Sequence, residues 1–174
     1  IMNYKSLTTL EYNKIIDKLV SFAASEPAKL RLKKLVPMND INDINYALAQ
    51  TNDALRRIYA KGCVDFNGIK DIRASVKRLE VGSALSISEL LNISSVLSCA
   101  AHVKNYYEEM PDSISDMFEM LDGITPLNNS IKRCIISEDE ISDDASANLK
   151  SLRRQKAAAN DKIHSELTRM LNSN

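Results

Sequence analysis

Apolar residues recur along the chain in steps of three and four, and the period breaks at Pro27, Pro37, Gly62, Gly68, Gly82, Pro111, Gly123 and Pro126. Between these breaks the pattern predicts helices. Thr8-Thr9-Leu10-Glu11 reads as a capping box, followed by the stripe Ile15, Ile16, Leu19, Val20 and Ala23. A short helix follows Ser25, with Pro27 in its first turn, and ends before Pro37. Asp40 caps a longer helix with the stripe Ile41, Ile44, Leu48, Thr51, Leu55 and Ile58, and Gly62 stops it. Ile69, Ile72, Val76 and Leu79 predict the next, closed near Gly82. Ser86-Ile87-Ser88-Glu89 is a second capping box. Behind it Ile93, Val96, Ala100, Val103, Tyr107 and Met110 keep the period, while Leu90, Leu91 and Leu97 widen the face, so this helix is expected at the centre. Residues 112–122 and 126–137 predict two shorter helices. Ser146 caps the last, whose stripe is Leu149, Leu152, Ala159, Ile163, Leu167, Met170 and Leu171. Lys156 interrupts that stripe, which makes it a poor parallel homodimer seam and a better seat for a partner helix. Val64-Asp65-Phe66 and Ile135-Ile136 are the only strand-like runs, both too short to found a sheet. The expected class is all-α: a multi-helix core with a long C-terminal helix.

Composition agrees. Trp is absent, aromatics are 5% and only 4 Gly and 4 Pro occur, which disfavours an all-β chain. A length of 174 residues and 44% hydrophobic content allow one cored domain, or one domain plus an arm. Lys and Arg total 23, as do Asp and Glu, so global charge selects no partner. Cys63, Cys99 and Cys134 lack a CxxC pair and read as reduced, mostly buried thiols. No basic-then-apolar leader opens the chain and no apolar run approaches a membrane span, so no membrane partner is expected and the cytoplasm is the default location. Ile1 precedes Met2, so the natural start is expected at Met2, and the last helix still runs when the sequence stops at Asn174.

Candidate chemistry is sparse. No glycine-rich phosphate loop with Lys-Ser or Lys-Thr exists, so no nucleotide site is expected in this segment. His102 and His164 have no partner at metal-binding spacing, and read as packed or partly exposed and as solvated residues respectively. Glu138, Asp139, Glu140, Asp143 and Asp144 lack the alternation of a calcium loop, and read as a solvated connector with Asp143 and Asp144 near a helix N-terminus. A second acidic run, Glu108, Glu109, Asp112, Asp116, Glu119 and Asp122, contains no basic residue. On the last helix Lys150, Arg153, Arg154, Lys156, Lys162 and Arg169 outweigh Asp161 and Glu166, which suits either a solvated arm or phosphate contact. Two further basic groups, Lys29, Arg31, Lys33, Lys34 and Lys70, Arg73, Lys77, Arg78, read as solvated faces. No aromatic residue is interleaved with any of these groups, so base stacking is not suggested. No catalytic or metal residues are assigned.

Four segments in order carry a family resemblance: Thr9-Leu10-Glu11-Tyr12-Asn13-Lys14-Ile15, Gln50-Thr51-Asn52-Asp53-Ala54-Leu55-Arg56, Leu85-Ser86-Ile87-Ser88-Glu89-Leu90-Leu91-Asn92-Ile93, and Asp144-Ala145-Ser146-x-x-Leu149-x-x-Leu152-Arg153-Arg154. Together they resemble the N-terminal region of the bacterial MutS-II family, paralogues of the mismatch-repair protein MutS. One departure is Ala147, where the family usually has Pro after the capping Ser. The resemblance implies a helical lever core over 2–137, an acidic connector over 138–145, and from 146 to 174 the root of an arm that ends in a DNA clamp. It implies an ABC-type ATPase and an Smr nuclease domain elsewhere in the parent protein, with ATP and Mg there and none in this segment. Implied partners are branched DNA, collided ribosomes in some members, and a second subunit joined through the ATPase domain. Lys150, Arg153, Arg154, Lys156 and Lys162 are the candidate phosphate contacts. The competing reading is a free-standing helical interaction module. A small helical enzyme is disfavoured because no nucleophile, base and orienter set is recognisable.

Overall fold

The computed structural model describes residues 4–66, 68–107 and 111–172. Among them are nine α-helices and one two-stranded ladder, so the chain is all-α in class. The helices are α1 (Tyr4–Thr9), α2 (Tyr12–Ser21), α3 (Glu26–Leu32), α4 (Ile41–Lys61), α5 (Arg73–Glu80), α6 (Ile87–Tyr106), α7 (Ser115–Glu119), α8 (Thr125–Cys134) and α9 (Ala147–Leu171). Strands β1 (Ile135–Ser137) and β2 (Glu140–Ile141) pair antiparallel, with Ile135 opposite Ile141. The chain forms two compact units, Ile1–Asn128 and Asn129–Asn174.

In the first unit α6 supplies more of the buried side chains than any other helix: Ile93, Ser94, Leu97, Cys99 and Val103. Its start is the predicted capping box. The Ser86 hydroxyl accepts the Glu89 N–H, and the Glu89 carboxylate accepts the Ser86 N–H. Glu89 also accepts hydrogen bonds from Ser75 and Arg78, fastening α5 to α6. Asn128 joins the first turn of α8 to α6: its carbonyl accepts the Ser94 hydroxyl at 2.6 Å and its amide donates to Ser98 at 3.0 Å. Asp40, Ser25 and Gly62 occupy the predicted cap positions of α4 and α3.

Several expectations are corrected. Thr8 to Glu11 is no capping box, because α1 already spans Tyr4–Thr9; Thr8 belongs to its last turn, and the Glu11 N–H bonds the Thr8 carbonyl. Glu11 takes a left-handed φ of 54° and pairs with Lys14. Ile69 and Ile72 precede α5, which starts at Arg73 because the Asp71 carboxylate takes the Arg73 N–H. The helix expected over 112–122 contracts to Ser115–Glu119, since Asp112 and Asp122 bond the N–H groups two residues ahead, at Ile114 and Ile124. The helix over 126–137 ends at Cys134, and β-branched Ile135 and Ile136 enter β1. Ile135-Ile136 therefore does form strand, though only in a two-stranded ladder. The α4 stripe is not buried among the described residues: Ile41, Leu48, Leu55 and Ile58 are exposed. Met110, Glu108 and Glu109 lie outside the described residues.

Candidate nucleic-acid interface

In the second unit the acidic segment is built rather than loose. Glu140 and Ile141 form β2, and Ser142 starts a 3-10 turn over Asp143–Ala145 by accepting the Asp144 N–H on its hydroxyl. Ser146 then caps α9 by accepting the Leu149 N–H at 3.1 Å. Ala147 occupies the first helical position without disturbing that cap. Two of the candidate cations turn back onto the acidic turn. Lys150 Nζ lies 2.9 Å from Asp144 Oδ1, which lowers the Asp144 pKa. Arg153 donates to Asp143 and, at 2.9 Å, to the Ile141 carbonyl. Arg154, Lys156 and Lys162 are exposed and make no ion pair among the described residues. Arg169 pairs with Glu166 at 2.9 Å. At 100° per residue Arg154 falls opposite the stripe of Leu152, Ile163, Leu167 and Met170, Arg169 and Lys162 fall on one flank of it, and Lys156 falls within it. Those four apolar residues are all exposed.

The most buried charge was not singled out from sequence. In the first unit Arg57 of α4 is 4% exposed. Its Nε donates to Asp112 Oδ2 at 2.6 Å and its Nη2 to Ser115 Oγ at 3.1 Å. The guanidinium lies 5.3 Å from the Tyr107 ring centre and 5.0 Å from that of Phe118. The Ser115 hydroxyl and Ile114 N–H bond the other Asp112 oxygen. The hydrogen bond from Arg57 outweighs the effect of burial and holds the Asp112 carboxyl down at about 2. One turn earlier Asp53 accepts both the N–H and the hydroxyl of Ser113, which lower its pKa. Among the described residues no buried side-chain donor or acceptor lacks a partner. The void beside Asp53 and Asp112 is only about 80 Å³, and an apolar cavity of about 220 Å³ lies on the other side of Arg57, against Ile114 and Phe118, so the charges themselves read as a structural clamp between α4 and the 112–118 segment.

Comparison with known proteins decides the family. The chain is 64% identical over 172 residues to Endonuclease MutS2 of Lachnospira eligens, covering 99% of the chain and 22% of that protein. It is 47% identical over 182 residues to Endonuclease MutS2 of Lachnoclostridium phytofermentans, again over 99% of the chain and 23% of the relative. The chain belongs to the MutS2 family. A third MutS2, from Agathobacter rectalis, is 43% identical over 177 residues, 99% of the chain and 22% of the relative. This MutS2 chain thus spans less than a quarter of the length of the curated relatives it matches. No protein-family model matches it.

The remaining candidates of the MutS2 chain sit as follows. His102 and His164 are both exposed. All three cysteines are free; only Cys99 is buried, Cys134 is half-buried and Cys63 is exposed, which corrects the expectation of mostly buried thiols. Among the described residues no three His, Cys, Asp or Glu side chains converge as a metal site. Among the described residues no helix is long and apolar enough to cross a membrane.

Proposed function

We propose that this chain is a non-catalytic lever and arm segment of a MutS2-type DNA-binding ATPase and endonuclease. The parent protein would act on branched DNA in recombination control or repair, with collided ribosomes as a second target. It would work in the cytoplasm as a homodimer joined by its ATPase domains, which would carry ATP and Mg. Rotation of those domains would move the packed helices as a rigid body, and α9 would carry the motion toward a clamp. The observation that carries the reading is α9 itself: a 25-residue helix, capped at Ser146, with an exposed apolar stripe that Lys156 interrupts, Arg154 opposite that stripe and Lys162 on its flank. Such a helix can pair along its stripe with a second helix while Arg154 and Lys162, outside that seam, face phosphate; Lys156 is open to phosphate only where the stripe is unpaired. Arg154, Lys156 and Lys162 are the available contacts; Lys150 and Arg153 must first exchange their carboxylate partners.

The test is binding of a four-way DNA junction by the 174-residue chain across a salt series. Binding should weaken steeply between about 50 and about 200 mM salt, and Arg154→Gln/Lys156→Gln/Lys162→Gln should flatten the dependence. Binding no better than that of a neutral helical bundle, with no salt dependence, would remove direct DNA contact by these residues. The exposed Leu152, Ile163, Leu167 and Met170 also favour the second reading, a free-standing module that docks a partner's helix. The reading frame beyond Asn174 separates the two. A glycine-rich phosphate loop a hundred or more residues downstream supports the lever, and a stop codon soon after supports the module.

A further inference from the structure

The fold brings together two basic groups that are far apart in sequence. Arg31 and Lys34, at the end of α3, and Lys70 and Arg73, at the start of α5, line one cleft of about 530 Å³ in the first unit. Pro27, Leu30, Ile69 and Ile72 give it aliphatic walls. Among the described residues the one carboxylate inside is Asp71, and it is committed to Arg73, from whose Nε it accepts a hydrogen bond at 2.8 Å. Arg31, Lys34 and Lys70 are exposed and make no ion pair or side-chain hydrogen bond among the described residues. The neighbouring cations that do have partners, Lys29 with Glu26 and Arg78 with Glu89, are not among those lining the cleft. Three uncompensated cations converging on a concavity repel one another and attract an anion.

We propose that this cleft is a second binding site for nucleic acid, taking the phosphodiester backbone of a strand on Arg31, Lys34 and Lys70. It rests on the nucleic-acid reading above but uses other residues, in the other unit. A strand fits better than a mononucleotide for two reasons. Among the described residues no aromatic ring lines the cleft to hold a base. The cations also continue beyond it: Lys77 lies one turn after Arg73 on α5, exposed and without an ion pair among the described residues. A track of this kind contacts successive phosphates and leaves the bases unread.

Fluorescence anisotropy with labelled single-stranded DNA and RNA tests the site. The wild-type 174-residue chain is compared with a cleft variant, Arg31→Gln/Lys34→Gln/Lys70→Gln, and an arm variant, Arg154→Gln/Lys156→Gln/Lys162→Gln. A third variant, Lys5→Gln/Lys18→Gln/Lys132→Gln, removes equal charge elsewhere. All substituted residues are exposed, so circular dichroism should report an unchanged helical chain. The cleft variant should lower the slope of log affinity against log salt by about 2, at ~0.7 for each single-strand phosphate no longer neutralised. It should also weaken binding at least tenfold at about 50 mM salt. Equal loss in DNA and RNA identifies the shared backbone as the ligand, and loss confined to one names which strand the cleft takes. An unchanged cleft variant alongside an arm variant that loses all salt dependence would overturn the cleft and leave the arm reading standing. Equal losses in the cleft and the charge-matched variants would overturn it as a site. Displacement of the strand from the wild-type chain, but not from the cleft variant, by millimolar nucleoside triphosphate would reassign the cleft to a mononucleotide. A wild-type chain that binds neither strand nor junction sinks both proposals.

Discussion

Arg57 and Asp112 show how much one pair of residues decides. The Asp112 carboxyl is held at about 2, below its ordinary ~3.9, chiefly by the hydrogen bond from Arg57. Its contribution to stability is therefore fully present above about pH 5 and is lost as pH falls toward 2; it is worth roughly 2 kcal/mol. Asp112→Asn should cost about 3 kcal/mol in urea unfolding at pH 7, because the guanidinium stays buried without its counter-charge. The variant should also lose part of the acid-side decline; an unchanged decline would mean that other carboxylates carry it. Gly68 makes a different demand. Its φ is +87°, and an added Cβ would sit 2.8 Å from Ser95 Oγ, the hydroxyl that donates to the Gly68 carbonyl. Gly68→Ala should destabilise by about 1–3 kcal/mol, read as a shift in the urea midpoint at constant slope.

Helix starts depend on neighbouring residues, and the sequence reveals them unevenly for that reason. Asp40, Ser86 and Ser146 were legible because a cap hydrogen bond closes within three residues. Ser86→Ala should lower stability by ~1 kcal/mol, while Ala147→Pro should change it by less than about 0.5 kcal/mol, since the first helical N–H needs no partner within the helix. The Thr8–Glu11 motif misled because the same residue types also close a preceding turn, and only the helix at Tyr4–Thr9 decides which. Spacing would pair Asp53 with Arg57, four residues on along α4. The structure instead gives Asp53 to Arg56 at 3.6 Å and to Ser113, and sends Arg57 to Asp112, 55 residues away, a partnership with no local signal. At α9 the basic face was legible, but its engagement was not, because Asp143 and Asp144 reach Arg153 and Lys150 only once the 3-10 turn forms. If that turn holds the two cations back from phosphate, Asp143→Asn/Asp144→Asn should tighten DNA binding and steepen its salt dependence. Weaker binding in the double variant would count against this.

At the scale of the whole chain, the helical class was readable from periodicity, but the burial of each stripe was not. A stripe's period states that something covers it and leaves open what. Among the described residues no large side chain is fully buried, while Phe22 is 76% exposed and Tyr59 81%. The isolated chain should therefore bind the apolar dye ANS in its folded state and unfold with a modest midpoint, whereas a chain carrying its natural covering should not bind the dye. The Arg57 clamp adds a consequence for motion. The C-terminal half of α4 cannot fray alone without stranding a charge against Tyr107 and Phe118. Amide hydrogen exchange at the end of α4 and at residues 113–118 should consequently follow a single opening event, with matching protection that rises and falls together in Asp112→Asn.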